Sequence, residues 1–171
     1  GSSTMPKAKR LLFVIILFST VAILFCPVFV LRIRNENSTV VYAGTIGMND
    51  TFSIKFTHSV AKRPVVETFG LGAGKKITLL ETEYDSFGAG LPFEAKGGQR
   101  FIVKDGKFKI VGYNYEVPDL AIRVGRFADH LFIFRGEEMK LVDLARPGEA
   151  LAFSVEEVPL IWYVFERFLQ R

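Results

Sequence analysis

A histidine beside a serine, in Phe56-Thr57-His58-Ser59-Val60, is the first place in this 171-residue chain where residue types invite chemistry. An imidazole can take a proton from a hydroxyl, so the pair suggests a hydrolytic centre. Neighbours on a strand point to opposite faces, so His58 and Ser59 could cooperate only at a strand end or bulge. No second base lies near Ser59. The plainer reading is a strand-end pair that satisfies turn amides. A third reading joins His58 to Glu67, which follows in Pro64-Val65-Val66-Glu67, as ligand-binding groups.

Two glycine-rich stretches come next. In Tyr84-Asp85-Ser86-Phe87-Gly88-Ala89-Gly90-Leu91-Pro92 the glycines permit positive φ or close approach, and Pro92 stiffens the exit. Successive amides in such a loop can cradle an anion, although a tight turn with a bulge explains the composition as well. Gly70-Leu71-Gly72-Ala73-Gly74-Lys75-Lys76 has the look of a phosphate loop. Phe69 stands where the first glycine should be, and Lys76 replaces the Ser or Thr that would hold magnesium, so a hairpin turn is the expectation. Glu81, Glu83 and Asp85 alternate and could share one strand face. Three carboxylates could hold calcium, but a solvated edge is the commoner outcome. His58 and His130 are the only histidines and lie far apart in the chain. The expectation is no metal and no cofactor.

The elements that would position these residues read as strands. Phe52, Ile54 and Phe56 alternate with Ser53, Lys55 and Thr57, the period of a half-buried strand. Similar runs cover 40–46, 65–69, 77–83, 101–104, 108–113, 120–124, 131–135 and 151–155. Turn residues separate them: 47–50, Asp105-Gly106 and Arg135-Gly136. The spacing predicts an all-β domain over 35–157, an antiparallel sandwich or small barrel of about nine short strands. Pro159 opens a different segment, 159–171, whose apolar residues recur at helical spacing. This C-terminal amphipathic helix packs on the sheet, lies at a membrane interface with Trp162 and Tyr163 at headgroup level, or contacts a membrane partner.

The N-terminus carries the other strong pattern. Residues 1–10 read as a tag remnant followed by a basic stretch. An apolar run from Leu11 to Leu31 then matches a bilayer's ~30 Å hydrocarbon core if wholly helical. It lacks the short core and small-residue cleavage site of a signal peptide. The expectation is a single transmembrane anchor over 11–31. Lys7, Lys9 and Arg10 before it, against Arg32 and Arg34 after it, favour a cytoplasmic N-terminus and an extracytoplasmic domain at the cell membrane. The formal charge of +4 shows no basic cluster in the folded part, which argues against nucleic acid. The one cysteine, Cys26, lies inside the apolar run, leaving the β-domain without disulfide or thiol chemistry.

The run Phe56–Val60, then Pro64–Phe69, then Tyr84–Pro92, in that order and spacing, resembles the family called domain of unknown function 1850. His130-Leu131 and the 148–155 strand also fit, so the likeness extends roughly from Val41 to Glu156. Members of that family are small proteins, many encoded beside or fused to TRAP-type transporters of the TAXI class. The resemblance implies an accessory or binding module in solute uptake that contacts a TRAP permease subunit, a solute-binding protein or a small anionic ligand. It implies no catalytic activity. It also gathers His58, Ser59, Glu67, Gly88, Ala89, Gly90, Leu91 and Pro92 into one site. There His58 and Ser59 would donate hydrogen bonds, Glu67 would orient His58, and the loop amides would face an anion. Arg123 and Arg126 are further candidates to pair with a carboxylate. The alternatives are a hydrolase using His58 and Ser59, and a structural stabiliser of a membrane complex.

Overall fold

The computed structural model describes residues 6–86, 94–125 and 129–169. An N-terminal helix, α1 (Lys7–Leu24), precedes eleven strands. These are β1 (Pro27–Arg34), β2 (Val40–Thr45), β3 (Thr51–Thr57), β4 (Pro64–Leu71), β5 (Ile77–Tyr84), β6 (Arg100–Lys104), β7 (Lys107–Glu116), β8 (Leu120–Arg123), β9 (Leu131–Phe134), β10 (Glu137–Lys140) and β11 (Ala150–Pro159). A closing helix, α2 (Leu160–Leu169), follows β11 without a loop. The strands form two open antiparallel sheets, one in the order β2-β1-β11-β8 and one in the order β10-β9-β3-β4-β5-β7-β6. Their inner faces share one apolar core, so the fold is a sandwich and not a barrel. Phe52 of β3 sits at its centre, stacked on Phe69 at 5.3 Å and on Phe153 of the opposite sheet at 6.1 Å.

The nine strands expected from alternation are all present. Two more were hidden. β10 is four residues long and mostly charged, and it is created by a tight turn. The Asp105-Gly106 hairpin behaves as its residues require, with φ of 53° and 73° across a two-residue loop. Arg135-Gly136 repeats that geometry between β9 and β10, with φ of 52° and 80°.

The expected transmembrane anchor over 11–31 is corrected by β1. Among the described residues no helix is long and apolar enough to cross a membrane. α1 stops at Leu24, its end capped by the Phe25 amide, and Pro27 cannot continue an α-helix. The apolar part of α1, Leu11 to Leu24, is therefore ~21 Å long, short of the ~30 Å required. Residues 28–31 enter the sandwich as β1 between β2 and β11, so the β-domain begins at Pro27, not at residue 35. Leu31 and Ile33 face the core, while Val30 and Arg32 turn to the other side, where α2 covers them; all four are almost wholly buried. A strand covered on both faces loses its alternation, so β1 reads in sequence as a continuation of α1.

Arg32 and Arg34 are consequently part of the fold and not a flank of the anchor. Arg32 Nε donates to both carboxylate oxygens of Glu166 on α2, at 3.0 and 3.1 Å, and its Nη2 donates at 2.8 Å. Its Nη1 reaches Glu156 at 2.6 Å, and Arg34 reaches the other oxygen of Glu156 at 2.7 Å. Burial would raise the Glu156 carboxyl, but the Arg34 hydrogen bond and both cations outweigh it and hold the group below its ordinary value.

Candidate functional site

The seven-stranded sheet carries the residues with chemical potential, on a face that register defines. Phe132, Ile54, Glu67, Thr82, Ile110 and Phe101 form one row across β9, β3, β4, β5, β7 and β6. Glu67 is the only ionisable residue in that row. On one side of the row lies the main core around Phe52 and Phe69. On the other lies a second apolar cluster of Val65 and Tyr84, with Phe56, Ala61, Phe101 and Phe108 packed against it. Glu67 and the nearly buried Thr82 therefore form a polar step between two apolar clusters. The Glu67 side chain has no hydrogen-bond or ion-pair partner among the described residues, and burial pushes its carboxyl above the usual range. Such a group can accept from a ligand donor when ionised or donate to an acceptor when protonated.

His130 belongs to the same end of the sheet. Its ring stacks on Phe56 at 5.6 Å, and its Nδ1 is buried without a partner among the described residues. Burial lowers its pKa, opposed in part by Asp129, so the neutral imidazole is favoured. By strand spacing and rise, Glu67 and His130 lie roughly 12 Å apart at Cα, two strands and two residues removed. At that separation the two side chains do not pair with each other. Sequence gave His130 no site role, because a lone histidine before an apolar strand carries no signal.

The residues first singled out separate in space. His58 lies just past β3, and its Nδ1 accepts from the amides of Val60 and Ala61 at 3.3 and 3.1 Å. Its backbone closes the same turn, bonding Arg63 and Lys62 at 2.9 Å each. This is the turn-capping reading of that segment. Among the described residues no hydrogen bond joins His58 to Ser59 or to Glu67, and Ser59 is exposed. Arg123 lies on β8 in the other sheet, where it donates to the carbonyl of Gly148 at 2.6 Å and stands 3.9 Å from Glu36. Gly88, Ala89, Gly90, Leu91, Pro92 and Arg126 lie outside the described residues.

The acidic strand and the glycine-rich turn resolve into ordinary structure. Glu81 pairs with Lys109 at 2.9 Å, Glu83 with Lys107 at 2.8 Å, and Asp85 with Arg63 at 2.6 Å. Each carboxylate is answered by a cation of a neighbouring strand or turn, and among the described residues no cluster could hold a metal ion. Residues 70–76 make the β4–β5 hairpin, closed by bonds between Gly72 and Lys76 and between Lys75 and Gly72.

A separate cleft of about 490 Å³ opens between α2, β2 and the β9–β10 turn. Tyr42, Phe134, Arg135, Met139, Tyr163 and Arg167 contribute to its lining. Arg135 is tied to Asp50 at 2.8 Å, Arg167 donates to the Ala43 carbonyl at 3.4 Å, and Glu137 also lines the cleft, so its wall mixes apolar groups with charges of both signs. These residues come from three segments distant in the chain, so no local pattern could reveal the cleft.

The family described as domain of unknown function (DUF1850) matches residues 52–141, from the second residue of β3 to the turn after β10. That is just over half of the chain, and the chain belongs to this family. The match is narrower than the Val41–Glu156 extent of the sequence resemblance, and it contains Glu67, Thr82 and His130. No curated protein and no solved structure matches the chain.

Proposed function

We propose that this member of the family is a membrane-attached binding module, accessory to a TRAP-type solute transporter of the TAXI class at the extracytoplasmic face of the cell membrane. The observation that carries attachment is α1. It buries no residue, and Leu11 through Phe18 are each more than half exposed in an unbroken run. Eight consecutive residues pass around the helix more than twice, so the apolar surface has no polar side. An all-apolar exposed helix suits lipid, which surrounds it. With Arg32 and Arg34 taken into the sandwich, Lys7, Lys9 and Arg10 at the N-terminal end supply the basic flank, which suits anionic headgroups.

The binding role is supported by the Glu67 step. Among the described residues the half-buried Glu67 carboxyl has no partner, and burial disfavours its charged form, which a ligand donor or partner group at that step would offset. The permease and its solute-binding protein are the partners that the family resemblance suggests. Gentle detergent extraction of the tagged full chain from its native membrane tests the proposal. The expected result is recovery from the membrane fraction together with a permease subunit or solute-binding protein, with capture weakened by Glu67→Gln. Recovery of the chain from the aqueous fraction, alone, would refute it.

A further inference from the structure

α2 is built inside out. At 100° per residue six of its apolar residues, Ile161, Trp162, Val164, Phe165, Phe168 and Leu169, fall on one continuous arc of about 160°. All six are exposed, Phe168 by 74% and Leu169 by 68%. The opposite side carries Tyr163, Glu166 and Arg167 with Leu160 at the helix start, and this mostly polar side is the one turned to the sheet. Glu166 holds Arg32, Arg167 reaches the Ala43 carbonyl, and Tyr163 lines the cleft beside Tyr42. A helix docked on a sandwich for its stability would do the reverse.

We propose that α2 is a second lipid contact, lying in the plane of the headgroup region with its apolar arc in the acyl boundary and the sandwich held above it. The inference rests on α1 as the membrane attachment and adds how the domain is oriented on it. Continuity with α1 supports lipid as the occupant. Pro27 and Pro159 are register partners, the Leu160 amide donates to the Cys26 carbonyl at 3.0 Å, and the two helices touch where they leave the sheet. Two exposed apolar surfaces thus meet at one point of the fold. One of them has no polar side, a shape that one surrounding solvent satisfies and a one-sided protein groove does not. The polar side of α2 is already occupied by the sheet, so its apolar arc can face the membrane without exposing charge. Glu166 and Arg32 act as the pin that fixes which way the arc points. An in-plane helix of this kind enters the boundary by ~5–10 Å, and Trp162 near its start suits the headgroup level.

Trp162 is the only tryptophan in the chain, so its fluorescence reports this face without any substitution. The full chain is reconstituted with vesicles of phosphatidylethanolamine and phosphatidylglycerol, floated on a gradient, and its emission recorded. The expected result is flotation, blue-shifted emission, quenching by lipids brominated near the top of the acyl chain, and poor quenching by aqueous iodide. In Phe165→Ser with Phe168→Ser, both exposed positions that leave the core untouched, flotation should persist while lipid quenching of Trp162 is lost. Flotation with iodide-accessible Trp162 would overturn the orientation proposed here and leave attachment by α1 standing. Failure to float would overturn the attachment, and this inference with it. Protection of Trp162 in native membranes but not in pure lipid would assign the face to a protein partner and overturn the lipid reading. Unchanged quenching in the double variant would do so too.

Discussion

Glu166→Ala tests whether the Arg32 pair is what closes α2 onto the sheet. The substitution removes three charge-assisted hydrogen bonds, at 3.0, 3.1 and 2.8 Å, from a guanidinium whose side chain is only 9% exposed. Breaking a buried ion pair on one side costs ~3–5 kcal/mol, because the remaining charge is left without its partner. Arg32 keeps Glu156 at 2.6 Å, and a terminal helix can lift enough to admit water, so the cost falls to about 2 kcal/mol. This loss should appear as local opening. Amide exchange over 160–169, measured by mass spectrometry on the full chain in mild detergent, should accelerate by roughly 30-fold. Exchange in β3 and β4, buried at the centre of the sandwich, should barely change. Arg32→Met with Glu166→Leu replaces the pair by apolar groups and should restore slow exchange to within ~1 kcal/mol of the parent. Acceleration below about threefold in the single variant would show that the pair does not hold α2. A double variant that opens as freely as the single would refute the account of why the single variant fails.

Glu67→Gln should stabilise the protein above the ordinary carboxylate range. Burial raises the folded pKa, so the folded state binds the proton more tightly and loses stability as pH rises from the unfolded value to the folded one. Urea midpoints across pH 4–8 should decline in the parent and stay flatter in the variant; parallel curves would exclude an ionising cost at this position. His130→Phe should remove an opposite slope. Its folded pKa is depressed, so the parent loses stability as pH falls through the ordinary imidazole value, and the variant should lack that loss. Because Nδ1 has no partner to lose among the described residues, the change should cost less than ~1 kcal/mol at pH 8; a larger loss would reveal an essential contact of that nitrogen. Gly106→Ala should cost about 1–2 kcal/mol in urea unfolding, since its φ of 73° penalises a Cβ and nothing crowds the site sterically. An unchanged midpoint would mean that the β6–β7 turn relaxes into another type.

Much of the sandwich was legible locally. Strands β3, β4, β5 and β7 bury parts of one face and solvate the other, so alternation marks them, and Asp105-Gly106 fixes its hairpin by backbone preference alone. The failures have definite causes. β1 is covered by core on one side and α2 on the other, which erases its alternation and joins it to the apolar run of α1. β10 exists because Arg135-Gly136 turns the chain back on β9, and its own residues carry no apolar pattern. Of the candidate site, Glu67 was found for its place in a family-like motif, yet the reason it matters is register, which sets it among Ile54, Thr82 and Ile110. His58, chosen for its neighbour Ser59, is engaged by the amides of its own turn.

The two ends of the chain divide the same way. Sequence by itself determined that residues 11–24 are apolar without a polar side, and that residues 160–169 are two-sided, since composition and a 100° step are properties of the helix alone. It could not determine where the first helix stops serving as a helix and becomes β1, because only pairing with β2 and β11 converts residues 28–34 into a strand. Nor could it say which side of α2 faces inward. That was decided by Arg32, placed beneath the helix by the β1–β11 register, where Glu166 meets it only if the polar side of α2 turns to the sheet.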